Sequence, residues 1–149
     1  MPLQKITRDE LLARSLTVFR QRGYHNTAMS DLARACGLFK GSFYHYFESK
    51  EALMRAVLEW VQHSLQEKVF SVAYDETLPP AERLGKVLRR LNRALLSAEG
   101  GCIVGNTTLE TAKLNPEFRG VLKEIFDQWL AALAHLYGSV HPPETAARL

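Results

Sequence analysis

The chain has 149 residues, of which 46% are hydrophobic and 23% are charged, and its formal net charge is +3. This composition fits a compact globular chain and excludes a low-complexity segment, and the two cysteines lie in unrelated contexts that do not indicate a disulfide framework. The first residues carry no apolar signal segment and no stretch is long enough to span a bilayer, so we expect a reducing, cytoplasmic setting without a membrane partner.

The positive charge is concentrated near the start of the chain. Residues 1–60 contain nine Lys or Arg and six Asp or Glu, whereas residues 61–149 contain ten of each. A polyanion would therefore be attracted first to the N-terminal part. An asymmetry of this size also arises on ordinary protein surfaces, and alone it does not establish a partner.

Capping residues divide the N-terminal part into helices. Thr7 and Glu10 form a Thr-x-x-Glu capping box and predict a helix over residues 8–22, which Gly23 terminates. Thr27 is expected to cap a short second helix, because a threonine hydroxyl can accept from the first free amides of a helix. This second helix is predicted to end at the next glycine along the chain.

Helical segments also fill the rest of the sequence. Ser49 is expected to cap a long helix to about residue 72, and Pro79 and Pro80 open the next, over residues 81–97. The last predicted segments are residues 106–114, a nearly all-apolar helix over 116–137 expected to be buried on most sides, and the start of another helix in 141–149.

The predicted fold class is all-α, because no alternation with a period of two persists anywhere in the sequence. We expect an N-terminal three-helix bundle with a helix-turn-helix over residues 1–48. A helical ligand-binding and dimerisation body is expected to follow over residues 49–149.

The segment FYHYF at residues 43–47 crowds five ring side chains together. At 100° per residue, Phe39, Phe43 and Phe47 share one face of a helix, with Tyr46 at its edge. We therefore expect these phenylalanines to face the core. The opposite face carries Lys40, Gly41, Ser42, Tyr44 and His45.

This outward face is suited to DNA recognition. It offers a cation, two hydroxyls, an imidazole and a glycine that lets a backbone approach, whereas ordinary exposed faces are rich in Glu, Lys and Gln. A short helix and a tight turn precede it, which is the order of a helix-turn-helix whose second helix enters the major groove. The alternative is a solvated helix face above a phenylalanine core.

The segment FRQRGYHNTAMSDLARACGLFKGSFYHYFESKEAL resembles the N-terminal domain of TetR-family transcriptional regulators, over about residues 8–60. The resemblance implies that Lys40, Ser42, Tyr44 and His45 contact an operator. It implies also that Thr27 and Lys50 hold phosphates. One departure is Phe39, which stands where the family usually has a Ser or Thr cap and is expected to compensate by packing on Phe43.

The resemblance further implies a homodimer on an inverted-repeat operator and a body that binds a small-molecule effector, coupled to the reading head by the helix that follows Ser49. The function expected is a repressor released from double-stranded DNA by its effector. The alternative is a helical small-molecule-binding or interaction protein without operator binding. Since similar proteins continue with two further helices, we expect a chain incomplete at its C-terminus, or a dimer through another surface.

Candidate effector contacts are the unusual side chains of the body, although each of them also suits the core of a helical bundle. Asn106 follows the uncommon stretch GGCIVGN, and Cys102 lies between glycines, where its thiol is either a sensor of oxidants or a small buried hydrophobe. The full set is Trp60, His63, Phe70, Tyr74, Cys102, Asn106, Phe126 and Trp129.

Signals of catalysis are weak. The five histidines show no i, i+3 or i+4 pairing for a metal, and neither a phosphate-binding glycine loop nor a nucleophile elbow occurs. Glu110 and Glu117 are interpreted as single surface acids. We therefore expect that the protein binds neither a metal nor a cofactor and that it is not an enzyme.

Overall fold

The computed structural model describes residues 5–111, 113 and 115–141, and every regular element in that part is helical, as the sequence predicts. A 3-10 segment, Phe70–Tyr74, and a π-helical turn, Asn92–Leu96, follow the fourth and fifth α-helices. The α-helices are α1 (Arg8–Arg22), α2 (Met29–Ala35), α3 (Lys40–Tyr46), α4 (Lys50–Lys68), α5 (Pro80–Leu91), α6 (Ile103–Thr111) and α7 (Pro116–Gly138).

Local capping sets the ends of α1, and its predicted bounds are confirmed. The Thr7 hydroxyl accepts from the Glu10 amide at 3.1 Å, and the Glu10 carboxylate accepts from the Thr7 amide at 2.9 Å. Gly23 ends the helix with a φ of +79°, which a residue with a side chain rarely adopts.

The prediction that Thr27 caps α2 is wrong. The N-cap residue is Ala28, whose amide donates to the Asp31 carboxylate at 2.8 Å. Thr27 is only 2% exposed, and its hydroxyl donates to the Gly23 carbonyl at 2.6 Å. An acid at the third helical position thus supplies the cap, and the threonine fastens the turn between α1 and α2.

Asp31→Asn is expected to destabilise the chain at neutral pH but not in acid. The hydrogen bond from the Ala28 amide, helped by Arg22 and Arg34, holds the pKa of Asp31 below its ordinary value of 3.8. A lowered pKa stabilises the fold above pH 3.8, and this contribution is lost as pH falls through the folded-state pKa. Urea midpoints at pH 6 and pH 3 should therefore show the gap between variant and parent closing in acid. Glu124→Gln, on α7, should show no such gap, and a pH-independent gap for Asp31→Asn would contradict the linkage.

One continuous core joins the first three helices, α1–α3, which we call the reading head, to the later helices, which form the body. Its buried side chains run from Leu11 in α1 to Leu136 in α7, and α4 packs against both of these helices. Ser49 caps α4 as predicted, because its hydroxyl accepts from the Ala52 amide at 3.1 Å. The expected boundary between residues 48 and 49 thus coincides with a helix start and not with a break in the core.

Later elements depart from the prediction in the bounds of α4 and α6 and in the burial of α7. Regular α-helix in α4 ends at Lys68 and not near residue 72, and α6 begins three residues before Asn106. Helix α7 begins at Pro116 as predicted but buries only one face, since Leu130 remains 65% exposed. The helix predicted to start in residues 141–149 lies, apart from residue 141, outside the described residues. No helix in the described part is long and apolar enough to cross a membrane.

Candidate nucleic-acid interface

Helix α3 presents the surface that we call the reading face, namely Lys40, Gly41, Ser42, Tyr44 and His45. All five residues are exposed. On the opposite side of the helix Phe43 is fully buried and Phe47 is 8% exposed, so these two rings anchor α3 to the core as the sequence predicts. The turn before α3 passes through Gly37, whose φ is +67°.

The reading face is free to bind a partner. Among the described residues, the side chains of Lys40, Ser42, Tyr44 and His45 make no hydrogen bond or ion pair with the protein. A β-carbon added at Gly41 would meet no atom within 4 Å, so the helix surface there is open. The surface combines one cation with neutral donors and acceptors, which suits contacts to both phosphates and base edges.

Phe39 does not face the core, and the expected packing on Phe43 is wrong. Its side chain is 85% exposed. The residue is the N-cap of α3, with φ −68° and ψ 148°. A rotation of 100° per residue holds only within a helix. Because Phe39 lies just before α3 and its backbone is extended, this rotation does not apply to it, and its ring does not share the face that holds Phe43.

Phe39→Ser is expected to raise stability by about 0.5–2 kcal/mol, the usual contribution of a serine N-cap. The parent side chain makes no cap hydrogen bond and buries little surface, so its removal loses little. Urea unfolding measures the difference. The matched control is Leu109→Ser, which removes an 88% exposed apolar side chain from within α6 and should give no gain. Equal effects of the two changes would contradict the capping argument.

The side chains of Thr27 and of Lys50, the first residue of α4, both contact the turn between α1 and α2. Thr27 is buried, as described above. The Lys50 ammonium donates to the Tyr24 carbonyl at 2.8 Å and lies 4.3 Å from the centroid of the Tyr24 ring, and burial lowers the pKa of this lysine. In the structure both side chains therefore hold the turn, and their phosphate contacts stay a prediction.

The same turn is held from the body by Glu110 of α6. Its two carboxylate oxygens accept from the Tyr24 amide at 3.3 Å and the His25 amide at 3.2 Å. The carboxylate occupies space that a side chain at Gly23 would fill, since a β-carbon there would lie 2.7 Å from Oε1. The Tyr24 ring packs edge-on against the buried Phe118, with centroids 5.3 Å apart. The interpretation of Glu110 as a surface acid is therefore wrong.

A second junction joins the end of α1 to the segment between α5 and α6. The Arg20 guanidinium donates from Nη2 to the Ala94 carbonyl at 2.7 Å. A β-carbon at Gly100 would lie 2.3 Å from the Arg20 carbonyl oxygen, so the two backbones touch. No local pattern in the sequence indicates this contact, because the partner of Gly100 is eighty residues away.

Three of the candidate effector residues lie together. The rings of Phe70 and Trp129 have centroids 6.4 Å apart, as do those of Phe126 and Trp129. Phe70 is fully buried and Phe126 is 38% exposed, so the cluster extends from the core to the surface of α7.

The other candidates are dispersed. His63 is exposed, and its Nε2 lies 3.1 Å from the Glu67 carboxylate. The rings of Tyr74 and His135 have centroids 4.5 Å apart. Asn106 donates to the Gly100 carbonyl at 2.8 Å, and the Cys102 sulfur accepts from the Gly105 amide at 3.5 Å. Trp60 lines a separate recess between α1 and α4. The five recesses found between the described helices include only Trp60 among the eight residues.

The fold and the reading face define a helical protein with a helix-turn-helix head on a helical body. Residues 11–57 match the family described as bacterial regulatory proteins, tetR family. The HTH-type transcriptional repressor DhaR of Mycobacterium sp. (strain GP1) is 36% identical over 123 residues, which are 83% of this chain and 61% of that protein. Residues 11–57 therefore belong to the TetR family.

Solved structures agree with this assignment at the level of the fold. A TetR transcriptional regulator from Legionella pneumophila superposes with a TM-score of 0.84 at 19% identity, covering 99% of this chain and 80% of that one. AibR in complex with isovaleryl coenzyme A and operator DNA gives a TM-score of 0.70 at 23% identity, covering 94% and 80%. The chain spans 61% and 63% of the lengths of the first two curated relatives that it matches.

Proposed function

We propose that the chain contains the DNA-reading and effector-responsive parts of a transcriptional repressor that a small molecule releases from its operator. The observation that carries this proposal is the reading face, whose polar groups are exposed and unpaired while Phe43 anchors the same helix in the core. The match of residues 11–57 to the tetR family supports it, as do the similarity to the repressor DhaR and the fold shared with AibR, whose structure holds isovaleryl coenzyme A and operator DNA.

In this proposal α3 enters the major groove. Lys40 contacts phosphate or a guanine edge, and Ser42, Tyr44 and His45 supply the remaining polar contacts. Because one short helix reads few base pairs, we propose that two copies bind an inverted repeat with half-sites about 34–36 Å apart, or a multiple of that.

Effector binding in the body would be transmitted to α3 through two routes. Helix α4 carries Lys50, and α6 carries Glu110, and both side chains grip the turn that precedes α2. A ligand that displaces either helix therefore moves the head, and reciprocal coupling of this kind amounts to about 1–3 kcal/mol. The aromatic cluster of Phe70, Phe126 and Trp129 is a proposed contact surface for such a ligand.

The decisive experiment selects bound duplexes from a random double-stranded DNA pool at moderate salt and sequences them. An enriched inverted repeat is expected. A single enriched half-site would support DNA reading but contradict dimer formation by this chain on its own. Absence of enrichment would contradict operator binding and favour a helical binding protein that does not read DNA.

Lys40→Ala is expected to weaken binding to the selected operator. If Lys40 contacts a phosphate, the slope of log K against log salt should fall by about 0.9, and if it reads a base, discrimination at one position should fall by about 1–3 kcal/mol. Fluorescence anisotropy over a salt series separates the two. Arg89→Ala removes an exposed cation of α5, on the body, and should leave both quantities unchanged. Unchanged binding of the Lys40→Ala chain would contradict the assignment of the reading face.

A further inference from the structure

A small recess lies where α1, α4 and the π-helical turn meet. Its volume is about 180 Å³. Most of its lining is apolar, and Ser64 and Lys68 add polar atoms from α4. The apolar lining comprises Leu16, Trp60, Val61, Leu65, Val69 and Leu95. A cavity of about 150 Å³ accommodates benzene, so this recess fits a group of about six to eight non-hydrogen atoms.

Arg20 lines this recess with an unsatisfied donor. Its Nη2 donates to the Ala94 carbonyl at 2.7 Å, but its Nε is buried and has no hydrogen-bond acceptor among the described residues. The bond to Ala94 is the one hydrogen bond of this guanidinium among the described residues, and no carboxylate there pairs with it. An anionic group in the recess would supply a counter-charge to the guanidinium.

Cations also surround the opening. A neighbouring depression shares Lys68, Val69 and Ala94 with the recess and adds Arg90 and Arg93, and no carboxylate lines either depression in the described part of the chain. The Arg90 guanidinium donates to the Lys68 carbonyl at 2.8 Å, which fixes it beside the opening. Clustered cations without counter-charges attract anions.

The backbone that forms one wall is itself unusual. Ala94 and Leu95 belong to the π-helical turn Asn92–Leu96, a rare conformation that often marks functional sites within helices. The Ala94 carbonyl of this turn accepts from Arg20. An anion that pairs with Arg20 would therefore act on the contact between α1 of the reading head and the body.

We propose that this recess binds a small amphiphilic anion, a short hydrocarbon chain that carries a carboxylate or phosphate group. The hydrocarbon chain of the ligand covers Trp60 and Leu16, and its charged head group pairs with Arg20 and Lys68. Binding itself is independent of the proposed function, whereas any effect on operator release rests on it.

Calorimetric titration of the protein with four probes tests the proposal without DNA, so a failure of operator binding would not affect the outcome. The probes are hexanoate, hexyl phosphate, hexan-1-ol and hexylamine. Hexanoate, hexyl phosphate or both should bind at least tenfold more tightly than the alcohol, because hydrogen bonds to charged groups are the stronger ones. The preferred anion identifies the head group. Equal binding of alcohol and anions, tighter binding of the amine, or no binding of either anion at millimolar concentration would overturn the proposal.

Variants localise the binding. Arg20→Gln should abolish the preference for the anion over the alcohol, and Ser64→Leu should fill the recess and abolish binding of both. The control Arg89→Gln removes an arginine outside the recess and should bind as the parent chain does. If Arg20→Gln fails to fold, as circular dichroism would show, Ser64→Leu decides. Parent-like binding of hexanoate by the Ser64→Leu chain would overturn the site.

Discussion

Gly100→Ala is expected to destabilise the chain by about 2–6 kcal/mol, the sum of backbone strain and overpacking. Gly100 has a φ of +92°, and its missing side chain lets the segment before α6 lie against the end of α1. A β-carbon would sit 2.3 Å from the Arg20 carbonyl oxygen and 2.6 Å from its carbon. These neighbours are backbone atoms, which cannot rotate away as a side chain can, so the segment must move as a whole.

Urea unfolding measures this effect, with the slope m checked for constancy. The matched control is Gly120→Ala. Gly120 lies within α7, its added β-carbon would meet no atom within 4 Å, and alanine there should raise stability by about 0.5–1 kcal/mol. If Gly100→Ala proved neutral, the packing of this segment on α1 would be contradicted.

Features set by neighbours in sequence were predictable. The capping boxes and glycine stops depend on residues within a few positions, and so the bounds of α1 and the Ser49 cap of α4 are confirmed. The inward positions of Phe43 and Phe47 follow from helical periodicity, and those side chains are buried. Phe39 shows the limit of that periodicity, since the residue lies outside the helix that the angle assumed.

The partners of several polar side chains were not predictable from the sequence. Thr27 is a residue type that often caps helices, but its hydroxyl donates to the Gly23 carbonyl, and the Asp31 carboxylate caps α2 instead. Lys50 follows a helix cap, and the sequence gives no sign that its ammonium contacts the Tyr24 carbonyl and ring. In both cases the chemical capacity of the side chain was predictable and its partner within the protein was not. The sequence pattern fixes donors and acceptors, whereas the tertiary fold decides which of them meet.

Glu110 and Glu117 are the sharpest example, because both acids were interpreted as surface residues. Glu117 forms an exposed pair with Arg55 at 3.5 Å, in which both side chains are about half exposed. Glu110 instead accepts two backbone amides of the turn between α1 and α2, and the Tyr24 amide is partly buried. No local pattern distinguishes the two acids, since the amides lie more than eighty residues from Glu110.

Glu110→Ala is therefore expected to lower stability by about 1.5–3 kcal/mol, the range for a hydrogen bond to a charged group, while Glu117→Ala should cost less than about 1 kcal/mol. Glu110→Gln keeps an acceptor oxygen but loses the charge, and should fall between the two. Hydrogen exchange at the amides of Tyr24 and His25 gives a local measure. Both amides should exchange faster in the Glu110→Ala chain, and their exchange rates should be unchanged in the Glu117→Ala chain.

Because the reading face is untouched in either variant, a loss of operator affinity confined to Glu110→Ala would identify this carboxylate as a mechanical link between α6 and the head. Equal exchange rates in the two variants would show that the turn is held without it.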